Sequence, residues 1–273
     1  MSLSRSRTQE LLTRHGLHPK RKLGQNFVVD HNTLERIVRL AEVGPTSRVL
    51  EVGPGLGALT EALLRADATV TALEIDPELA RVLVDRPELT RARIVEGDAL
   101  AVNLADLCPP EDGPWTVVAN LPYNVATPVV LRILEQAPQI TRLLVMVQLE
   151  VAERLAAHPG GAAYGGVSVR VAYHAHAQVV GKVPPTVFLP QPTVESGLVA
   201  IDRRAEPAVD PALATESEIF VLVKQAFSQR RKMLRRSLAG LVDAEAFDAA
   251  GIASTARPEE LGVEDFGRLA AAR

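Results

Sequence analysis

Between residues 48 and 149 short β-rich runs alternate with segments of helical period, and that alternation leaves few folds open. RVLEVG (48–53), ATVTALEID (68–76), ARIVEGD (92–98), WTVVAN (115–120) and TRLLVMVQL (141–149) read as strands. LTEALLRA (59–66), PELARVLVD (77–85) and a segment over roughly 127–136 read as helices. Pro77 sits in a first turn, where its missing N–H costs nothing. Strands that return through helices run parallel, and a parallel sheet is covered on both faces. An amphipathic helix at 32–43, with Leu34, Ile37, Val38 and Ala41 on one face, precedes the first strand.

Beyond residue 150 the texture changes. VSVRVAYHAHAQVV (167–180) and VESGLVAID (194–202) alternate like strands, are joined by KVPPTVFLPQP, and are expected to add an antiparallel edge. Arg203–Pro211 reads as a linker. Thr215 with Glu218 makes a capping box that opens a helix through about Phe227, with Leu222, Val223, Ala226 and Phe227 as its buried stripe. Helices follow at roughly 229–240, 243–250 and 258–271. The expected organisation is a basic arm (1–29), an α/β domain (30–205) and a small all-α domain (206–273).

Composition removes several classes of function. The chain has 273 residues, 47% hydrophobic and 23% charged, which disfavours a disordered or coiled-coil protein. The single cysteine, Cys108, excludes a disulfide framework and a Cys-rich zinc or iron–sulfur site. No run approaches about 18 apolar residues, and the polar start MSLSRSRTQE lacks a signal-peptide hydrophobic region, so a cytoplasmic protein with no membrane partner is expected.

The net charge of −3 averages over an uneven chain. Residues 1–29 carry six bases (Arg5, Arg7, Arg14, Lys20, Arg21, Lys22) against Glu10. Residues 219–241 carry six more (Lys224, Arg230, Arg231, Lys232, Arg235, Arg236) and no acid. Basic ends on an acidic body suggest a polyanion partner, because Lys and Arg gain affinity by displacing phosphate counterions; solvated helix faces are the alternative.

EVGPGLGA (51–58) lies between a strand and a helix. Gly53, Gly55 and Gly57 allow a ligand close to the backbone, and the following helix offers free N–H groups. Glu74, at the end of the next strand, can accept both hydroxyls of a ribose, which fits a dinucleotide or S-adenosylmethionine (AdoMet). Asp98, at the end of the third strand, can accept an adenine amine. These acids line the carboxyl edge of the sheet, where open α/β folds bind ligands.

Asn120-Leu121-Pro122-Tyr123 follows the fourth strand at that edge. The N6 nitrogen of adenine is a poor nucleophile because its lone pair is delocalised into the ring. The Asn120 side-chain carbonyl and the Leu121 main-chain carbonyl can each accept one N–H, drawing the nitrogen toward tetrahedral geometry and aiming its lone pair at a methyl sulfonium. Pro122 restricts Leu121, and Tyr123 offers a face for base stacking. No strong general base is required, in keeping with the absence of a Ser/His/Asp or Cys/His set.

With these residues in hand, the sequence resembles the rRNA adenine N6-dimethyltransferases, which modify small-subunit ribosomal RNA, and the resemblance spans essentially the whole chain. KRKLGQNFVVD (20–30) looks like the family's N-terminal motif, EVGPGLGALT and NLPY like its cofactor and catalytic motifs, VPPTVFLPQPTVES (183–196) like its late loop, and FSQRRKMLRRSL (227–238) like its rRNA-facing helix. The resemblance implies a Rossmann-like AdoMet-dependent methyltransferase fold, a mostly parallel sheet with an antiparallel edge, followed by the small all-α domain. It implies AdoMet held by Gln25, Asn26, Val28, Gly53, Gly55, Glu74, Ile75, Asp98, Ala99 and Asn120. It also implies catalysis through Asn120, Leu121, Pro122 and Tyr123, with Phe188 stacking on the target base opposite Tyr123. RNA would be gripped by Lys20, Arg21, Lys22, Arg230, Arg231, Lys232, Arg235 and Arg236. The partner would be small-subunit rRNA in a pre-ribosomal particle, dimethylated at two adjacent adenosines by a monomeric enzyme without a metal.

Three positions depart from the family pattern. Ala126 stands for Ser or Thr, Leu149 for Lys, and Gly166 for Arg, and the last two remove charges. His174 and His176 alternate on one expected strand, but without a third ligand they read as packing or surface residues. His15 and His18 read as polar or RNA contacts, Cys108 as an inert loop residue and Trp115 as core. Competing functions are a large-subunit rRNA methyltransferase of the antibiotic-resistance type and a non-catalytic assembly factor. A dinucleotide oxidoreductase would leave NLPY without chemistry.

Overall fold

The structure, a computed structural model, describes residues 3–273. In chain order it begins with α1 (Arg5–Arg14), β1 (Phe27–Val28) and α2 (His31–Leu40). The alternating region follows: β2 (Arg48–Val52), α3 (Ala58–Arg65), β3 (Thr69–Glu74), α4 (Pro77–Val84), β4 (Arg93–Glu96) and α5 (Leu104–Leu107). It continues through β5 (Trp115–Asn120), α6 (Ala126–Gln136), β6 (Ile140–Gln148), α7 (Leu149–Leu155) and α8 (Gly166–His174). Then come β7 (Ala175–Val183), β8 (Phe188–Leu189) and β9 (Ser196–Arg203), and last α9 (Glu216–Ser228), α10 (Leu234–Ser237), α11 (Ala244–Ala250) and α12 (Val263–Ala271).

The chain forms two compact units. The first takes residues up to Ala152 together with Gln178–Asp202; the second takes Glu153–Ala177 with Arg203–Arg273. The helical unit is therefore built from two stretches of chain, whereas the sequence pattern suggests one beginning at 206.

The main sheet has seven strands in the order β4-β3-β2-β5-β6-β9-β7. β4 through β6 pair in parallel, and β9 runs antiparallel to β6 with Leu198 opposite Met146. From β2 the chain steps one way to β3 and β4, then returns to build β5 and β6 on the other side. The crevice between the carboxyl ends of β2 and β5 is the switch point at which such sheets bind ligands. Its walls are firm because the inner strands are buried: Val49, Leu50, Val117, Leu143 and Leu144 are all 0% exposed. Each is worth about 1.5–3 kcal/mol relative to an exposed side chain.

Helix starts follow sequence chemistry. Asp30 caps α2 by accepting from Thr33 N at 2.7 Å, and Asp76 caps α4 ahead of Pro77. Thr215 and Glu218 form the expected capping box of α9. Helix α1 in the basic arm has no counterpart in the sequence reading. Its Ser4 cap and the burial of Thr8, Leu11 and Leu12 explain it.

Two segments differ from expectation. Gly166–His174 is a helix, although its valines favour a strand. Ser168 ties its first turn, accepting from Gly165 N (3.1 Å) and donating to Arg154 O (2.6 Å). Val169 and Tyr173, four residues apart, enter one core cluster with Ile219, Leu222 and Val223 of α9. Packing overrides strand propensity here, and His174 and His176 consequently do not share a strand. The basic helix expected at 229–240 shrinks to Leu234–Ser237. Residues 229–233 offer no buried apolar face, Met233 being 38% exposed. The amides of Leu234 and Arg235 bond instead to Ala256 O (2.8 Å) and Ser254 O (2.9 Å).

Candidate active site

The glycine turn after β2 has the conformation its sequence demands: Gly53, Gly55 and Gly57 have φ of 72°, 61° and 81°. A Cβ at Gly55 would also lie 2.9 Å from the Phe27 ring. Gly55 N–H donates to Glu74 Oε2 (2.9 Å) and Asp76 N–H to Glu74 Oε1 (3.0 Å). The carboxylate at the end of β3 is thus fixed in orientation and retains acceptor capacity for a further donor. Burial pushes the Glu74 carboxyl up, against the opposing pull of those N–H groups. Beneath the turn, Arg86 donates to Leu56 O (2.6 Å) and to Glu61 (2.8 Å), a buried pair that holds the start of α3.

Two chambers of about 70 and 110 Å³ open at this edge and share Leu23, Gly53, Ile75 and Pro122 as walls. The smaller is lined also by Gln25, Asn26, Val28, Gly55, Glu74 and Asn120. The larger is lined by Asp98, Ala99 and Leu100. All ten residues expected at the cofactor site therefore meet at one cleft. Ile75 is 46% exposed, an apolar side chain standing open between the chambers. Asp98 is exposed, with Oδ1 accepting from Leu100 N at 2.8 Å.

The arm is clasped to this edge. Gln25 accepts from Lys20 N (2.8 Å) through Oε1 and donates to Asp76 Oδ2 (2.9 Å) through Nε2. Lys20 Nζ donates to Asp76 (2.9 Å) and to Glu78. Burial raises the Asp76 carboxyl, but the Lys20 and Gln25 hydrogen bonds together outweigh it and hold the group below the usual carboxylate range. Two expectations change: Gln25 lines the cleft with its amide already committed, and Lys20 is an ion-pair clasp rather than a free RNA contact. Arg21 and Lys22 are exposed.

In the tetrapeptide, Asn120 Nδ2 donates to Asn26 O at 2.9 Å. That anchor turns Oδ1 into the free end of the amide, with no donor to it among the described residues. Leu121 N–H bonds to Met146 O (3.0 Å), and the Leu121 carbonyl accepts nothing among the described residues. Tyr123 is half-buried, its hydroxyl 2.9 Å from Ser196 Oγ, which fixes the ring; burial raises its pKa. Phe188 departs from expectation. It is 0% exposed, paired in β8 opposite Val28 of β1, and belongs to the core of the first unit. Its ring supports the strand that carries Val28 and presents no open face to a base.

Of the basic residues in the second unit, Arg230 is structural: it donates to Glu259 (2.7 Å) and to Ala162 O (3.0 Å). Arg231, Lys232, Arg235 and Arg236 are exposed. Cys108 is fully buried, its thiol pushed up to about 12 by burial, and Trp115 is core.

Sequence reading missed Glu51, Thr8 and Leu3, which also line the smaller chamber. Glu51 had a signal: an acid in the middle of an apolar strand. It is 1% exposed and accepts from Thr60 Oγ1 at 2.6 Å. Burial pushes its carboxyl up to about 8 from the ordinary 4.5, with the Thr60 hydrogen bond opposing and Glu74 adding to the rise. A raised carboxyl pKa contributes stability that is present below about 4.5 and lost as pH climbs through about 8. A Glu51→Gln variant keeps the acceptor for Thr60 without the ionisation. Its melting temperature should gain on the wild type between about pH 5 and about pH 9, and a pH-independent difference would contradict the buried neutral acid.

A switch-point cleft with strand-end acids, a glycine turn and an anchored Asn-Leu-Pro-Tyr carbonyl pair defines a methyltransferase of the Rossmann-like, AdoMet-dependent class. The family model described as ribosomal RNA adenine dimethylase matches residues 16–272. The chain is 49% identical to the ribosomal RNA small subunit methyltransferase A of Kineococcus radiotolerans, over 99% of this chain and 91% of that protein. It is 46% identical to the protein of the same name from Thermobifida fusca, over 96% and 93%. Among solved structures, the 23S rRNA methyltransferase ErmE superposes with a TM-score of 0.70 at 29% identity, covering 90% of this chain and 98% of that one. A dimethyladenosine transferase from Plasmodium falciparum shares the fold, with a TM-score of 0.73 at 22% identity over 89% and 95%. The chain belongs to the ribosomal RNA adenine dimethylase family. Among the described residues, no helix is long and apolar enough to cross a membrane.

Proposed function

We propose that this enzyme uses AdoMet to dimethylate N6 of two adjacent adenosines in small-subunit ribosomal RNA within a pre-ribosomal particle. The observation that carries the reading is the Asn120 amide at the smaller chamber, anchored through Nδ2 so that Oδ1 is a free acceptor, with the unpaired Leu121 carbonyl next to it in the chain. The donor set suits a cationic cofactor with a ribose diol and an adenine amine. Glu74 stands at the smaller chamber as an acceptor for the diol, Asp98 stands at the larger chamber for the amine, Ile75 and Ala99 give apolar contact, and Glu51 and Asn26 face the smaller chamber. When bound, AdoMet supplies a methyl group on a sulfonium.

Asn120 Oδ1 and the Leu121 carbonyl each accept one N–H of the target amine, which localises its lone pair for attack. The alkylated nitrogen sheds a proton to solvent, so no residue here needs to act as a strong base. Tyr123, its hydroxyl held by Ser196, serves as the stacking platform for a base drawn out of its own stack. Arg21 and Lys22 on the arm, and Arg231, Lys232, Arg235 and Arg236 in the second unit, meet phosphates.

The higher identity to small-subunit enzymes than to ErmE favours the small-subunit substrate. Mass mapping of undermethylated small subunits incubated with labelled AdoMet should find dimethyladenosine at neighbouring positions. Small-subunit RNA left unlabelled, with label entering large subunits incubated in parallel, would overturn the reading.

A further inference from the structure

Thr8 is 1% exposed, and its hydroxyl is buried with no hydrogen-bond partner among the described residues. A threonine inside a helix ordinarily bonds back to the carbonyl four residues earlier. Thr13 in the same helix does so, to Gln9 O at 2.9 Å. Thr8 does not; it lines the smaller chamber together with Leu3, Asn26, Glu51 and Gly55. A buried hydroxyl left unpaired costs stability, so its position calls for a ligand.

The other side chains of the chamber show which ligand atom it would meet. Glu74 offers acceptor oxygens, while Glu51, kept neutral by burial, already accepts from Thr60. Asn120 commits an amide hydrogen to Asn26 O, Asn26 one to Gly24 O, and Gln25 one to Asp76. The Thr8 O–H is a donor whose one hydrogen is uncommitted. Helix α1 holds it there: Arg5 donates to Thr186 O (2.8 Å) and Phe188 O (3.0 Å), and Arg7 pairs with Glu88. Resting on the AdoMet reading of the cleft, we propose that Thr8 donates to the α-carboxylate of the cofactor's amino-acid end, and that α1 is the wall closing the cleft over that end.

Calorimetric titration with two ligands tests this. S-adenosylhomocysteine carries the amino-acid end, and 5′-methylthioadenosine lacks it. A hydrogen bond to a charged group is worth roughly a factor of ten or more in affinity. Thr8→Val should weaken S-adenosylhomocysteine binding roughly tenfold while changing methylthioadenosine binding by less than about twofold, and Thr8→Ser should restore the first. The melting temperature of ligand-free Thr8→Val should be equal to or above that of the wild type, because an unpaired buried hydroxyl is removed. Unchanged binding of both ligands by Thr8→Val, equal loss of both, or a fall in melting temperature would overturn the assignment. Failure of the wild type to bind S-adenosylhomocysteine would instead overturn the AdoMet reading beneath it.

Discussion

Replacing Asn120 with alanine is expected to lower the single-turnover rate of methyl transfer by about two to three orders of magnitude, the usual cost of deleting one preorganised polar group that acts on the reacting atoms. The loss should fall on kcat. The acceptor at Oδ1 matters most as the amine nitrogen becomes tetrahedral and its N–H bonds more acidic, so it stabilises the transition state more than the ground state. Asn120→Asp makes a sharper comparison. It retains an acceptor but sets a carboxylate oxygen against Asn26 O, where Nδ2 now donates at 2.9 Å. The aspartate variant should therefore also be impaired, through loss of the anchor. S-adenosylhomocysteine titration of both variants separates the effects: affinity within about fivefold of wild type with a collapsed rate supports positioning of the amine. Turnover within about threefold of wild type in Asn120→Ala would remove the residue from the mechanism.

The second large effect concerns RNA. Reversing Arg231, Lys232, Arg235 and Arg236 to glutamate together should weaken association with small subunits by about a hundredfold or more near 0.1 M salt. It should also flatten the dependence of log K on log salt by about 0.7–0.9 for each phosphate that is no longer neutralised. Cofactor affinity should not change, because none of the four residues lines the cleft. Arg230 belongs in a separate control. Its guanidinium holds Glu259 and the Ala162 carbonyl, so Arg230→Glu faces a like charge and should lower the melting temperature. An unchanged salt slope in the fourfold variant would place the RNA elsewhere.

The cleft is more legible in the sequence than the helical unit, for physical reasons. Glu74 and Asn120 end strands and Asp98 follows one by two residues, and a parallel sheet brings strand ends to one edge whatever the details of packing. Local pattern therefore suffices to gather them. It does not suffice at Gly166–His174, where valines that suit a strand form a helix because Val169 and Tyr173 meet side chains about fifty residues further along. Charge runs are similarly blind to partners: nothing near Lys20 or Arg230 in sequence announces Asp76 or Glu259. The motif around Phe188 suggests a base platform, yet the antiparallel pairing of Phe188 with Val28 turns it into the core. Thr8 is invisible to sequence reading, since its importance lies in a hydrogen bond it fails to make within its own helix.

The division of the helical unit between Glu153–Ala177 and Arg203–Arg273 also fixes an order of events during synthesis. Nascent chains lengthen at about 5–20 residues per second. Val169 and Tyr173 of α8 thus emerge about 3–10 s before Leu222 and Val223 of α9 exist to cover them. In that interval β9 is completed and can close onto β6. The nascent protein can therefore finish its methyltransferase sheet while the side chains that make Gly166–His174 a helix are still unsynthesised, which leaves the helical unit to mature last.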